Sequence, residues 1–302
     1  MNRDEFKDKV AGAVYGFMIG DAMGATTEFM SRDDIESIYP DYIHNIIGGG
    51  VFGWDAGECT DDTQMSWCIM KVLVDCPAIC NLNSSYFKFM VADEFAKWYD
   101  SDPKDIGNAC ANGIAHYKDM HGFLDDDDSI LGNGALMRAM PCALVGRDDL
   151  NIAQADITHP NETNRQIILK YSKLLQNYVM GNYSSETSMG LRSSLVNSQG
   201  YSEPSGNVLD TIANAIYWSN KPTFMECIVG AVNDGGDADT IAAIAGSLSG
   251  ARFGLEQIPC KWVSQLKIEW KSRAGMFINM VKNYATNSYF DVYNEVAKVY
   301  NI

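Results

Sequence analysis

Apolar side chains recur at intervals of three and four residues along most of this 302-residue chain, and that interval is typical of one face of an α-helix. Over residues 161–180 it places six side chains on a single face: Ile167, Ile168, Tyr171, Leu174, Leu175 and Tyr178. The same interval predicts helices over 209–218, 223–232, 262–284 and 289–300. Strand-like alternation is scarce, and residues 42–47 are its one modest candidate. The pattern therefore predicts an all-α protein.

No segment rich in proline or serine divides the chain into two parts. Residues 183–206 are rich in Ser, Asn and Gly, and we predict a long surface loop there. A chain of this length can bury one large core. We therefore expect a single domain over residues 1–302.

Small residues recur every four positions in two of the apolar stretches. The first series is Gly12, Gly16, Gly20 and Gly24, and the second is Ala242, Gly246, Gly250 and Gly254. Residues four apart share one helix face, and glycine in a helix interior costs about 1 kcal/mol relative to alanine. Close packing of the two helices explains that cost better than fraying does. If they pack antiparallel, the Asp21 end of the first helix lies beside the start of the second.

Acidic residues outnumber basic ones 39 to 23, which gives a net charge of −16. This excess argues against a surface for nucleic acid or anionic lipid, since either needs a dense field of Lys and Arg. An anionic substrate would have to be attracted locally, and bound metal cations could do this. No apolar stretch approaches the ~20 residues of a membrane span, and the start does not resemble a secretory signal. The eight cysteines form no C-x-x-C pair. We therefore expect a cytoplasmic protein with reduced thiols.

A first acidic cluster, Thr60, Asp61 and Asp62, directly precedes an apolar helical run. Taken alone, it has two readings of about equal weight. Threonine caps helices, and aspartate in a first turn complements the helix dipole. Two carboxylates beside a hydroxyl also offer the oxygen ligands that Mg²⁺ prefers.

A second cluster, Asp237, Asp239 and Thr240, repeats this layout ahead of another apolar helix. Gly235 and Gly236 precede it and permit a tight backbone turn that brings carboxylates inward. Two matched clusters are harder to explain as coincidental helix caps. We interpret them as facing each other across a pair of divalent metal ions.

Other candidate residues are weaker signals individually. Glu28 follows a glycine-bearing turn, so it could be a surface residue or an acid that reaches the metal site. Gly132, Asn133 and Gly134 could form an anion-binding turn, although Asn-Gly is also an ordinary turn signal. Residues 125–128 are four consecutive aspartates, which more often form a solvated loop than a metal site.

Together these residues resemble the ADP-ribosylglycohydrolase family, of the type that reactivates ADP-ribosylated dinitrogenase reductase. Residues 12–254 contain the matching stretches in family order: GAVYGFMIGDAMGATTEF, GECTDDTQ, GNGALMRAMP, ITHP and AVNDGGDADTIAAIAGSLSGARFG. The resemblance implies a compact orthogonal bundle of helices around a central cleft that holds two Mg²⁺ or Mn²⁺ ions.

The resemblance also implies a role for each matching residue. The metal ligands would be Thr60, Asp61, Asp62, Asp237, Asp239 and Thr240. Glu28 falls on the family's mobile acidic position, and we expect Glu28 and Asp62 to be the acid and base candidates. ADP-ribose would lie along Gly132, Asn133 and Gly134, near His159, Gly235 and Gly236.

The hypothesis that follows is metal-assisted hydrolysis of the bond between ADP-ribose and a modified protein residue or small molecule. The group that carries the ADP-ribose stays open, and the sequence is compatible with a monomer. A two-metal phosphoryl or pyrophosphate hydrolase is an alternative. A further alternative is a non-catalytic protein that binds ADP-ribose on the same fold.

Overall fold

The computed structural model describes residues 1–76, 78–196 and 202–284. Within them the chain forms fourteen α-helices, two 3₁₀ turns (Ile79–Asn81 and Leu255–Gln257) and no β-strand, so the predicted all-α class is confirmed. In chain order the helices are α1 Arg3–Gly24, α2 Arg32–Ile38, α3 Asp61–Asp75, α4 Ser84–Tyr99, α5 Asn108–Met120, α6 Met140–Leu144, α7 Asp148–Ala155, α8 Glu162–Val179, α9 Ser185–Ser193, α10 Val208–Ser219, α11 Phe224–Val232, α12 Ala238–Phe253, α13 Cys260–Gln265 and α14 Ile268–Tyr284.

The helices predicted over 161–180, 209–218 and 223–232 are confirmed as α8, α10 and α11. Side chains fix two of their starts: Asn161 accepts the amide of Asn164, and Thr223 accepts the amide of Glu226. Such caps satisfy amide groups that the first turn of a helix leaves unpaired. The prediction over 289–300 lies outside the described residues.

Three local predictions were wrong. The supposed loop over 183–206 contains α9, because Ser184 caps a helix there by accepting the amide of Thr187. The helix predicted over 262–284 is broken between α13 and α14, where the buried Leu266 takes an extended conformation. Residues 42–47 form no strand. The Asn233 side chain instead bonds both the amide and the carbonyl of Ile43, at 2.9 and 3.0 Å.

The closest helix pair is α1 with α12, and the small residues predicted to pack together do so. A Cβ atom added to Gly12, Gly16 or Gly20 would lie 2.0–2.2 Å from a carbonyl oxygen of Gly250, Gly246 or Ala242 respectively. No side chain fits at such distances. The pairing runs in opposite directions along the two helices, so they are antiparallel. Gly254 ends α12 with a φ of 85° instead of continuing the helix.

Helix α12 lies at the centre of the fold, and every residue from Ala238 to Ala251 is buried. It packs against α1, α8, α10 and α11. The antiparallel contact places the end of α1 at the start of α12, where a Cβ on Gly24 would lie 2.5 Å from the Ala238 carbonyl oxygen. None of the helices in the described ranges is long and apolar enough to cross a membrane.

Candidate functional site

The first acidic cluster lies at the start of α3 and is fastened to α1. The Thr60 side chain caps the helix by accepting the amide of Asp62. Asp21 of α1, which is fully buried, accepts the amide of Thr60 at 2.9 Å through Oδ1 and that of Thr63 at 3.1 Å through Oδ2. Asp21 therefore satisfies two amide groups of a neighbouring helix and fixes where Asp61 and Asp62 begin. Sequence reasoning missed this role, because Asp21 stands alone in an apolar helix.

The second acidic cluster lies at the start of α12. Gly235 and Gly236 take φ values of 78° and 64°, which place them in the left-handed region where glycine is favoured. A Cβ on either would lie within 2.3 Å of a backbone oxygen. Thr240 then donates a hydrogen bond of 3.1 Å from Oγ1 to Oδ2 of Asp62, so the two clusters are in direct contact.

The carboxylates converge into two groups of three. Glu28, Asp237 and Asp239 bring one oxygen each within 4.8 Å of one another, and so do Asp61, Asp105 and Asp239. Asp239 belongs to both groups. Asp105 was missed by the sequence reasoning because its immediate neighbours in the segment between α4 and α5 are Lys104 and Ile106, which are not ligand-type residues.

Burial is the main influence on the pKa values of these acids. It raises the pKa of Glu28 to about 9, with further contributions from the negative charges of Asp105 and Asp237. Burial likewise raises the pKa of Asp237 to about 6, and it raises the pKa values of Asp61 and Asp239 well above the ordinary range. A hydrogen bond between the carboxyl groups of Asp61 and Asp105 raises the pKa of Asp61 further. Burial and mutual repulsion thus favour the protonated forms of these acids, and a positive charge among them would favour the ionised forms.

The donor set fits a hard divalent cation. None of the ion pairs in the described part of the chain involves these carboxylates. Glu28 Oε2 and Asp62 Oδ1 are buried without a hydrogen-bond partner. Converging carboxylate oxygens of this kind are ligands for Mg²⁺ or Mn²⁺. The buried acidic clusters thus have the ligand chemistry of a metal site, and they do not select between the two metals.

A cleft of about 370 Å³ opens over the carboxylates. Among its lining residues are six predicted or newly found polar groups at the acidic end: Glu28, Asp61, Asp105, Asp237, Asp239 and Thr240. The others include Phe29, Cys110, Gly132, Asn133, Gly134 and His159. Of the predicted site residues, Thr60, Asp62, Gly235 and Gly236 do not line the cleft. In the sequence, Thr60 and Asp62 flank Asp61, and Gly235 and Gly236 directly precede Asp237.

The segment Gly132–Gly134 forms part of the cleft wall. The Asn133 side-chain amide donates to Thr211 Oγ1 at 2.9 Å and also to a carboxylate oxygen of Asp237. A Cβ on Gly134 would lie 2.6 Å from Cys110 Sγ and 2.8 Å from His159 Cε1. Because Gly134 has no side chain, Cys110 and His159 can lie close to its backbone. An ordinary turn has no need of such close contacts.

His159 is buried at this wall and is neutral. Its Nδ1 lies 2.7 Å from Thr158 Oγ1, which also accepts a hydrogen bond from Arg138. Burial, together with the nearby Arg138 charge, lowers the pKa of His159 to about 3. Its Nε2 points toward Gly132 and Gly134, lying 3.2 Å from the Cβ position of each.

The four aspartates at 125–128 lie outside the cleft and are exposed. Asp126 pairs with Arg165 through two hydrogen bonds of 2.7 Å each. The run is thus a solvated loop, in agreement with the reading of its charge pattern.

The chain is thus an all-α protein whose central helices carry buried carboxylates of the type that binds metal ions. Comparison with known proteins then identifies the family. The ADP-ribosylglycohydrolase family model matches residues 2–286. The chain is 34% identical over 285 residues to ADP-ribosyl-[dinitrogen reductase] glycohydrolase of Rhodospirillum rubrum, across 87% of this chain and 91% of that protein. The chain therefore belongs to the ADP-ribosylglycohydrolase family, whose members are hydrolases that act on ADP-ribosylated substrates.

Further similarities agree with this assignment. ADP-ribosylarginine hydrolase Tri1 of Pseudomonas putida (strain GB-1) is 29% identical, across 87% of this chain and 75% of that protein. A solved structure titled ADP-ribosylglycohydrolase-related protein complex superposes with a TM-score of 0.78 at 24% identity, covering 93% of this chain and 99% of that one. At that identity the superposition shows the shared fold.

Proposed function

We propose that this protein hydrolyses the bond between the distal ribose of ADP-ribose and the residue or small molecule attached to it. The observation that carries the proposal is the pair of three-carboxylate groups that share Asp239 at the floor of a cleft. Two divalent cations, Mg²⁺ or Mn²⁺, would complete this site. When bound, they supply positive charge that orients ribose hydroxyls and stabilises charge developing as the bond breaks.

The residues that would hold the cations come from both clusters. Asp61, Asp237 and Asp239 face the cleft. Asp62 lies beside them, because its Oδ2 accepts a hydrogen bond from Thr240. Its Oδ1 has no hydrogen-bond partner among the described residues. Together with Thr60, these residues form the ligand set that we propose. Asp105 and Glu28 could provide additional ligands.

Proton transfer at the breaking bond requires an acid and a base that face the cleft. Glu28 suits the acid, since it lines the cleft and its Oε2 has no hydrogen-bond partner among the described residues. Asp62 is the other candidate from sequence, but it does not line the cleft. Asp105 lines the cleft and is only partly buried, so we propose it as the cleft-facing base.

The shape of the cleft supports an elongated substrate. A second cavity of about 470 Å³ shares Ala109 and Gly132 with the first, so the two adjoin at Gly132. We propose that the reacting ribose lies over the carboxylates and the pyrophosphate at Gly132–Gly134. The amides of Gly134 and Ala135 donate no hydrogen bond within the described residues and could bind a phosphate oxygen. The adenosine would occupy the second cavity.

A panel of linkages tests the proposal. ADP-ribosylated arginine heads it, because the Pseudomonas relative is named for that substrate, and serine and O-acetyl linkages follow. We expect release of free ADP-ribose from at least one substrate with Mg²⁺ or Mn²⁺ and none with chelator. AMP plus ribose phosphate would instead identify a phosphoryl hydrolase. Tight binding of ADP-ribose without turnover of any substrate would identify a binding protein.

A further inference from the structure

A tight turn beside the cleft displays apolar side chains to solvent. Gly49 and Trp54 exchange two backbone hydrogen bonds of 2.8 Å, and Gly53 bonds back to Gly50 at 3.2 Å. Val51 and Phe52 form the tip, and Val51 is 65% exposed. Turn tips are normally occupied by Gly, Asn, Asp or Ser. The requirements of the turn therefore do not explain why Val51 and Phe52 are apolar.

Phe29 is a second exposed apolar residue at the same place. It is 65% exposed and has a φ of 62°, a left-handed conformation that is rare for a bulky side chain. Two hydrogen bonds hold it there: Phe29 donates its amide to the Gly236 carbonyl at 2.7 Å, and Gly236 donates to Met30 at 2.9 Å. A strained residue that presents an aromatic ring to solvent is an indication of function.

The three side chains form one surface, which we call the rim: Phe29, Val51 and Phe52. The rings of Phe29 and Phe52 meet edge to face with centroids 6.3 Å apart, and Phe52 packs in the same way on Trp54 at 6.2 Å. Trp54 is buried, so the rim rests on a fixed base. Contiguous apolar side chains at a surface are typical of a contact with another macromolecule.

The rim lies at the reacting end of the cleft. Phe29 lines the cleft directly after Glu28, and it does not line the second cavity beyond Gly132. With ADP-ribose placed as proposed above, the group attached to the ribose leaves the cleft on the carboxylate side. Phe29 lines the cleft and its ring contacts Phe52 at the tip of the turn, whereas Val51 and Phe52 do not line the cleft. The rim therefore extends outward from the carboxylate end of the cleft, where the body of a modified protein would lie.

We propose that the rim is a docking surface for the folded protein that carries the ADP-ribose. This inference rests on the proposed function. Apolar side chains of the modified protein would cover Val51 and Phe52, while its ADP-ribose enters beside Phe29. The rim then acts on binding of the protein substrate and takes no part in breaking the bond.

The test compares one linkage in two forms, using whichever linkage the panel above shows to be cleaved. The small probe carries it on a single amino acid, and the large probe carries it on a folded protein. We expect Val51→Ser to leave kcat and KM for the small probe unchanged. It should raise KM for the large probe about tenfold, the size expected when one buried apolar contact is lost.

Two further variants sharpen the comparison. Phe29→Asn tolerates the left-handed backbone, and it should lower the ratio of kcat/KM on the large probe to that on the small one. Met120→Ser is the matched control. Met120 is 69% exposed and lies at the far end of α5, about 18 Å along the helix from Asn108 at the cleft. This variant should leave kcat and KM unchanged for both probes.

Three kinds of result would contradict the docking surface or the function on which it rests. Equal effects of Val51→Ser on both probes, or no effect on either, would overturn the docking surface while leaving the proposed function intact. A dimeric wild type that becomes monomeric in Val51→Ser, with no selective loss on the large probe, would identify a self-association surface instead. No cleavage of any probe by the wild type would contradict the proposed function itself.

Discussion

Asp21 on α1 accepts the backbone amide of Thr60 at 2.9 Å and thereby joins the two halves of the acidic site. Helix α1 is packed against α12 through glycine contacts that leave no space for a side chain. Since Asp21 also accepts the amide of Thr63, the start of α3 is held to the same helix. The distance between the clusters is thus set by α1, which contributes no cluster residue of its own.

We expect Asp21→Asn to weaken metal binding without unfolding the protein. Asparagine keeps one acceptor oxygen, but its amide group would face a backbone N–H that needs an acceptor. Residues that orient metal ligands typically change affinity by about 10–100-fold when replaced. Calorimetric titration with Mn²⁺ measures the change. Asp34→Asn, at an exposed cap of α2, is the control and should bind as the wild type does. Unchanged Mn²⁺ affinity in Asp21→Asn would exclude the positioning role.

Replacing a proposed ligand should have a larger effect on activity. We expect Asp61→Asn and Asp239→Asn each to lower the hydrolysis rate at least a hundredfold, beyond the usual range for an orienting residue. Both should stay folded, because each change removes one of several buried acids that repel one another. Circular dichroism checks the fold and ADP-ribose release checks activity. Full activity in either variant at controlled metal concentration is the result that would contradict the proposed site.

The residues that could be predicted from sequence are those with a local pattern. Asp61 and Asp237 stand next to other ligand-type residues at helix starts, and the four-residue glycine spacing predicted how the two helices meet. Asp105 and Asp21 have no such pattern, because their roles depend on which distant backbone they approach. Gly235 and Gly236 were correctly interpreted as turn residues, and they do not line the cleft.

Two failures in the prediction of secondary structure have different causes, one a local helix cap and the other a tertiary contact. The polar composition of 183–206 suggested a loop, but the Ser184 cap starts α9 there. The hydrophobic periodicity continues through Leu266, yet the chain leaves the helix at that residue, and Lys267 donates its amide to the Gly57 carbonyl at 3.0 Å. Periodicity reports which side chains are buried and cannot detect a single extended residue between two helices.

The stability of the metal-free protein should fall as pH rises. Folded-state pKa values of the site acids lie above their unfolded values, so the folded state binds more protons than the unfolded state does. The contribution of these acids to stability is then greatest below the unfolded value of about 4, and it declines through about 6, where Asp21 and Asp237 ionise, toward about 9 for Glu28. Thermal unfolding in chelator at pH 5, 7 and 9 measures the decline.

Bound cations should oppose that decline, since ligands must lose protons to bind metal and the affinity therefore rises with pH. We expect Mg²⁺ or Mn²⁺ to raise the unfolding temperature more at pH 9 than at pH 5. The double variant Asp61→Asn with Asp239→Asn should show a flatter pH dependence in chelator. A wild type that becomes more stable toward pH 9 in chelator would contradict the assignment of protonated acids to this site.

The glycine contact between α1 and α12 gives the sharpest stability prediction. Alanine at Gly20 would place a methyl group 2.0 Å from the Ala242 carbonyl oxygen, and backbone on both sides cannot move as a side chain can. We expect Gly20→Ala to lower the free energy of unfolding by about 3 kcal/mol, the upper part of the usual range for overpacking. The matched control is Gly275→Ala in α14, where no atom lies within 4 Å of the added carbon.

That control should raise the free energy of unfolding by roughly 0.5–1 kcal/mol, since alanine favours the helix interior. Opposite signs for the same substitution would locate the effect in the helix contact. Urea titration measures both values. Because Gly20 adjoins Asp21, Gly20→Ala should also weaken Mn²⁺ binding if the helix contact sets the distance between the acidic clusters. A Gly20→Ala protein that is as stable as the wild type and binds Mn²⁺ normally would show that α1 and α12 are not held this closely.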